Sequence, residues 1–214
     1  MKDIKLTPEM SYVLGVLKGD GWLNFDGHSH YRTGLETKDL DFAKKFSNKL
    51  LKITGRKPLW VTIKRNFSKS TLAGLKAGYK YDGFSVRLNF KEWFEKFSRM
   101  KTETENLILN SAKDTKIEFL RGMFDSEGYF GYFKGRKKEP RRNLILVNKD
   151  LKLLRLVNKL LKENNINSHF YDRPKTGIPT IQVNDKNSLI NFKNLIGFSI
   201  KRKQRNLLNS FKEN

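Results

Sequence analysis

The sequence predicts an α+β protein built from two pseudo-symmetric αββαββα repeats, and three observations carry that prediction. Two segments share one pattern: Val13-Leu-Gly-Val-Leu-Lys-Gly-Asp20-Gly21 and Leu120-Arg-Gly-Met-Phe-Asp-Ser-Glu127-Gly128. In each, a glycine is followed by two apolar residues, a variable position, a small residue, an acid and a glycine. The elements after each segment recur in the same order. Their apolar residues repeat every three to four positions in some stretches and every two in others, as one-sided helices and half-buried strands require. The repeats are placed at 1–99 and 116–214, with a linker at 100–115.

The first helix opens at Thr7-Pro8, an N-cap followed by proline at the first helical position. Asp114 or Thr115 can cap its counterpart. Both helices are apolar nearly all round, as expected of helices buried between layers. Asp20 and Glu127 read as their last residues, each followed by the glycine that ends the helix. Leu35-Glu-Thr-Lys38-Asp39-Leu40 then precedes a helix with Phe42, Ala43, Phe46, Leu50 and Ile53 on one face. Leu146-Val-Asn-Lys149-Asp150-Leu151 precedes one with Leu153, Leu154, Val157, Leu160 and Leu161. Thr54-Gly55 and Asn164-Asn165 stop them. Phe84–Leu88 and Thr180–Asn184 alternate as strands, and each leads into a further helix. The stretch 98–113 reads as a linker with a short helix near Glu103–Leu109, and Ile200–Leu208 as a closing helix.

Composition narrows the function. The chain has 214 residues, 44 Lys+Arg against 22 Asp+Glu, a net charge of +22 and no cysteine. Self-repulsion on that scale works against compactness unless a polyanion offsets it, and nucleic acid is the commonest one. No apolar run approaches the length of a spanning helix, and no segment reads as a basic amphipathic membrane-surface helix. Without cysteine there is no disulfide framework, thiol nucleophile or thiolate metal site. The start, Met1-Lys-Asp-Ile-Lys-Leu-Thr-Pro, resembles neither a signal nor a transit peptide. The expectation is a prokaryotic cytoplasm, or an organellar matrix if organelle-encoded.

The two matched helices carry the chemistry. Gly15 and Gly19, like Gly122 and Ser126, are four residues apart, so each helix has a stripe of small residues that permits close approach. A carboxylate at a helix C-terminus meets unpaired carbonyls and the negative end of the dipole, the wrong end for an acid. Two such misplacements brought together suggest a cation between them. An all-oxygen set selects Mg²⁺ or a similar divalent ion such as Mn²⁺. The alternative, that Asp20 and Glu127 are merely solvated helix ends, does not account for the duplication.

The paired segments resemble the two motifs of a single-chain LAGLIDADG homing endonuclease, and the resemblance runs through Lys38 and Lys149 to Phe198-Ser-Ile-Lys-Arg-Lys203, nearly the whole chain. It implies motif helices packed at a central pseudo-twofold axis. It also implies two saddle-shaped antiparallel sheets in the major groove of a long asymmetric DNA site, and metal-dependent cleavage of both strands leaving 3′ overhangs. Asp20 and Glu127 match the metal-binding acids, with the carbonyls of Gly19 and Ser126 completing the protein ligands. Lys38 and Lys149 match basic residues near the scissile phosphates. One departure is plain: the earlier motif acid is present as Asp125 but replaced by Lys18 in the first half. A single chain with both motifs implies a monomer that needs no protein partner.

Strand parity gives the expected DNA-reading residues. If Leu35 and Leu146 face the helices, Arg32, Glu36, Arg141 and Asn143 face the DNA. By the same alternation Phe25 faces in, while Asn24 and Asp26 face out. Ser85, Arg87, Thr180, Gln182 and Asn184 face out in the last strands. Lys64, Arg65, Lys134, Arg136 and Arg173 join them as basic residues of strands and long loops. His28 and His30 read as turn residues. Two other functions compete: an intron RNA-binding maturase of the same family, and a non-enzymatic basic RNA-binding protein. Loss of an acid at 20 or 127 would favour the first. The second explains the charge but not the paired acids.

Overall fold

Thr7 starts the molecule's first helix as its sequence suggests, its hydroxyl accepting from Met10 N at 3.2 Å, and α1 runs Pro8–Lys18. The computed structural model describes residues 4–66, 80–133, 141–172 and 177–212. After α1 come β1 (Gly21–Phe25), β2 (Tyr31–Thr37), α2 (Leu40–Thr54), β3 (Leu59–Asn66), β4 (Lys80–Asn89) and α3 (Lys91–Thr102). A short α4 (Thr104–Leu109) leads to the second unit: α5 (Lys113–Glu127), β5 (Gly128–Phe133), β6 (Arg141–Val147), α6 (Leu151–Glu163), β7 (His169–Tyr171), β8 (Thr180–Val183) and α7 (Lys186–Leu195). Helix α8 (Lys201–Asn209) closes the chain.

Among the described residues these form two four-stranded antiparallel sheets of identical order, β1-β2-β4-β3 and β5-β6-β8-β7. The αββαββα repeat is therefore present twice. In each sheet one face is apolar and meets helices. Leu35, Val86 and Leu88 pack with Phe42, Phe46 and Leu50 in the first unit, and Leu144, Leu146, Ile181 and Val183 with Leu154, Val157 and Leu161 in the second. No helix among the described residues is long and apolar enough to cross a membrane.

Helices α1 and α5 pack backbone to backbone at the centre. A Cβ on Gly122 would overlap the Tyr12 carbonyl oxygen and lie 3.1 Å from Val16 N, and one on Gly15 would overlap the Phe119 carbonyl. A Cβ on Gly19 would lie 2.5 Å from Ser126 Cβ. The small-residue stripes are thus the contact itself.

Several local expectations change. Asp20 lies beyond α1, in the turn before β1, rather than on its last helical position. Gly21 and Gly128 are the first residues of β1 and β5, and neither has positive φ. They are small because the chain folds straight back: a Cβ on Gly128 would overlap the Phe124 carbonyl and one on Gly21 would lie 3.0 Å from Leu17 Cα. Left-handed glycine does stop α2, where Gly55 has φ 68° and donates to Leu51 O at 2.8 Å. Asn165, with φ 56°, follows α6. Helix α5 is capped at Ala112, without a side-chain bond, rather than at Asp114 or Thr115. Helix α3 extends to Thr102 because Met100 is buried in the core. Phe25 has the inward parity but overruns the helical layer, so its ring stacks on Tyr31 at 4.5 Å and stays 45% exposed.

Candidate active site

Close packing of α1 and α5 puts Asp20 and Glu127 at the same end of the helix pair. The Gly19 Cβ position lies 3.1 Å from Glu127 Cγ, so the two acids flank one contact. Asp20 keeps a solvent-open edge, yet the protein mass behind its carboxyl raises the pKa above the ordinary Asp value, against the pull of Lys203. Burial raises Glu127 as well, the negative charge of Asp20 raises it further, and Lys203 opposes both. Two carboxylates that disfavour each other's ionisation make a place that needs a cation.

The donors present fit a hard divalent ion. Beside the two carboxylates, the Ser126 hydroxyl oxygen is buried without a hydrogen-bond partner. Among the described residues no three His, Cys, Asp or Glu side chains cluster. A metal here would therefore take its protein ligands from Asp20, Glu127 and main-chain oxygen. The Ser126 carbonyl already accepts from Lys203, which leaves one lone pair for an ion.

Lys203 is the residue that sequence reasoning did not single out. Its ammonium donates to three consecutive carbonyls at the end of α5, those of Phe124 (3.2 Å), Asp125 (2.6 Å) and Ser126 (3.2 Å). A cation at a helix C-terminus satisfies carbonyls that have no partner in the helix and complements the dipole. Desolvation lowers the Lys203 pKa, while Asp125, Asp20 and Asp39 hold it up. Lys203→Met should lower stability by about 2 kcal/mol in metal-free buffer, with Lys203→Arg losing less. Thermal unfolding in EDTA measures this, and an unchanged midpoint would show that the clamp contributes nothing.

The motif position that differs between halves is keyed to its surroundings. Asp125 is fully buried and accepts from Tyr12 Oη (2.8 Å) and Ser199 N (2.7 Å). Lys45 extends this network, donating to Ser199 Oγ at 2.6 Å and lying over the Tyr12 ring. Burial brings its pKa down to about 8. Lys18, at the equivalent place, pairs instead with Asp150 at 3.3 Å.

Lys38 and Lys149 occupy matched, exposed links between β2 and α2 and between β6 and α6. The residue before each lysine forms a local turn: Thr37 Oγ1 accepts from Asp39 N (3.1 Å) and Asn148 Oδ1 from Asp150 N (2.9 Å). Lys38 lies over the Tyr81 ring at 5.1 Å. Asn148, also missed in the sequence, reaches Glu127 Oε1 and the Lys18 carbonyl, each at 3.5 Å. Its place directly before Lys149 was the available signal.

The outer sheet faces, those turned away from the helices, receive some of the expected DNA-reading residues. Asn24 and Arg32 share a register row with Asn89. Glu36 sits between two guanidinium groups, 3.1 Å from Arg65 and 3.3 Å from Arg87. Arg87 also donates to Ser85 Oγ at 2.8 Å. Ser85 is fully buried beneath it, so its hydroxyl addresses Arg87 and not solvent. Lys64 has the opposite parity to Arg65, the helix-facing one it shares with Trp60 and Thr62. Asp26 lies past β1 and organises the turn: it accepts from His28 N and His30 N, pairs with the His30 ring, and lies 3.7 Å from Arg32. In the second sheet Asn143 and Gln182 are half-buried on the outer face, and Arg141 and Asn184 are exposed. Asn184 lies just beyond β8. Thr180 is buried, its hydroxyl donating to Ile178 O at 2.9 Å. Lys134, Arg136 and Arg173 lie outside the described residues.

Residues 114–197 match a LAGLIDADG-like domain. The uncharacterized protein MJ0398 of Methanocaldococcus jannaschii is 27% identical over 223 residues, covering 96% of this chain and 72% of that protein. The homing endonuclease I-DmoI in complex with DNA and Ca superposes with a TM-score of 0.64 at 17% identity, over 96% of this chain and all of that one. I-WcaI, bound to its DNA recognition sequence, gives a TM-score of 0.65 at 15% identity, over 95% of this chain and 88% of that one. At these identities the likeness to the two structures is one of fold.

Proposed function

We propose that this chain, which carries a LAGLIDADG-like domain and has the fold of the single-chain homing endonucleases, is itself a site-specific double-strand DNA endonuclease of the intron- or intein-encoded type, acting as a monomer. The observation that carries this reading is the convergence of Asp20 and Glu127 at one end of two helices packed backbone to backbone. Neither carboxylate gains from its helix dipole there, and each raises the local need for a cation.

Asp20 and Glu127, with main-chain oxygens at Gly19 and Ser126, would hold Mg²⁺ or Mn²⁺. Such an ion neutralises the phosphate and lowers the pKa of an attacking water. The chain's own contribution is position and charge. Lys203 holds the last turn of α5 in place, so Glu127 starts from a fixed backbone. Lys38 and Lys149, each following a residue that forms a side-chain turn, would stand near the acids and stabilise the charge that gathers on a phosphate under attack. The outer sheet faces, with Arg32, Arg65, Arg87 and Arg141, would lie along the major groove of a long asymmetric site.

Plasmids carrying candidate insertion sites test the reading. Double-strand cuts with 3′ overhangs should form with Mg²⁺ and not with EDTA. Affinity for the duplex should fall steeply with salt, its log–log slope about −0.9 per neutralised phosphate. A flat salt response would remove nucleic acid as the partner. Tighter binding to intron RNA than to duplex DNA would favour a maturase.

A further inference from the structure

The two sheets share a topology but not an outer-face chemistry. Aligned on the glycines that begin β1 and β5, the row Trp22–Gly34–Arg87–Leu59 of the first sheet corresponds to Tyr129–Ile145–Gln182–His169 of the second. In the first, the absent side chain of Gly34 leaves room for the Trp22 indole, whose ring atoms fill the place of a Cβ. In the second, Ile145 fills the matching place, and Tyr129 stands 53% exposed. The next row replaces Glu36, ion-paired with Arg65 and Arg87, by Val147. The first sheet therefore presents a fixed charge cluster. Among the described residues the second presents, in the same two rows, aromatic and aliphatic groups, the Gln182 amide, the His169 imidazole and a buried Thr180, with no Lys, Arg, Asp or Glu.

Each base offers the major groove different chemistry. Guanine offers two acceptors, best met by Arg or Lys, and cytosine a donor, best met by a carboxylate. Adenine offers a donor beside an acceptor, which the amide of Gln or Asn matches, and thymine alone offers an apolar group, its 5-methyl. Among the described residues these rows of the second sheet hold no Lys, Arg, Asp or Glu, the outer-face Arg141 lying two rows away, while the amide and the apolar contacts are present. Tyr129 and Ile145, side by side in one row of the second sheet, call for an apolar counterpart there.

We propose that the second sheet reads an A·T-rich half of the target, with thymine methyl groups packing against Tyr129 and Ile145 and Gln182 addressing an adenine. The proposal rests on the reading of this chain as a duplex-DNA endonuclease and adds the identity of the half-site.

Selection of duplexes from a random pool by the full chain in EDTA gives the preferred site. Repeating the selection with Gln182→Ala marks the half that the second sheet contacts. Thymines in that half are then replaced by deoxyuridine, which pairs identically and lacks only the methyl. Affinity should fall roughly fourfold for each contacted methyl, and the same replacement in the other half should change it little. Tyr129→Ser, at an exposed position, should bind thymine and uracil duplexes more nearly alike. Selection of G·C pairs by the second sheet, or indifference of the parent to uracil, overturns the half-site assignment and leaves the endonuclease reading intact. A concentration-dependent dimer that Tyr129→Ser abolishes would give this face to self-association and also overturn it. Failure to select any duplex overturns both.

Discussion

Asp20→Asn or Glu127→Gln should leave the DNA bound and uncut. Each change keeps side-chain volume and the α1–α5 contact while removing a charge that an ion would need. Charge stabilisation by such an ion is worth several kcal/mol, so cleavage should fall at least about a thousandfold at 1.36 kcal/mol per factor of ten. Affinity for duplex DNA should hold or rise, because a carboxylate beside phosphates is repulsive when no ion is present. The two variants need not match: burial and Asp20 both act on Glu127, whereas Asp20 keeps an open edge. One of them should therefore accumulate nicked plasmid ahead of the other. Cleavage gels in Mg²⁺ alongside anisotropy binding in EDTA separate the two readouts. Parental cutting rates in both variants would mean that these acids do not hold the ion.

Gly122→Ala should be among the most damaging single substitutions in the fold. The added methyl would overlap the Tyr12 carbonyl and crowd Val16 N at 3.1 Å and Gly15 Cα at 3.2 Å. All three are backbone atoms of the facing helix, so no rotamer change relieves the clash and the helices must part. Overpacking that cannot relax costs about 3 kcal/mol or more. The active-site end would move as well, since Gly19 and Glu127 meet on the same contact. Gly55→Ala is a useful contrast. Its Cβ would meet nothing within 4 Å, so only the left-handed backbone at φ 68° resists it, at about 1 kcal/mol. Denaturant unfolding of the two variants tests the ranking, and a Gly122→Ala protein as stable as Gly55→Ala would refute the close packing.

Most of the architecture could be read from the chain because it is local and repeated. The Thr7 cap, the Gly55 stop and the matched strand–helix runs depend on residues within a few positions of each other. Strand parity likewise placed Arg32, Glu36, Arg87 and Gln182 on the outer faces. What escaped depends on chain segments meeting across the fold. Lys203 reaches the end of α5 from α8, and nothing in its basic neighbourhood distinguishes it from Lys201 or Arg205. Ser85 obeys the alternation yet is buried, because Arg87 and Glu36 close over it. Asp26 was assigned by extending β1 one residue too far, where two backbone N–H groups of the turn claim its carboxylate. The end of α1 was misread, whereas α5 does end at Glu127 as expected. Gly21 and Gly128 answer a steric demand of the sharp reversal into a strand, which pattern alone does not separate from a left-handed stop.

The buried bond from Tyr12 to Asp125 also makes the two halves non-interchangeable. The residue equivalent to Tyr12 in the second half is Phe119, and the one equivalent to Asp125 in the first is Lys18. Two copies of the second half would bury Asp125 against a phenyl ring that cannot donate a hydrogen bond. Two copies of the first would leave the tyrosine hydroxyl without its carboxylate. Each half thus carries one part of a lock whose other part exists only on its sister. A chain cut between them and expressed as separate pieces would be driven toward the mixed pair, with either matched pair penalised by an orphaned polar group in a dry interface.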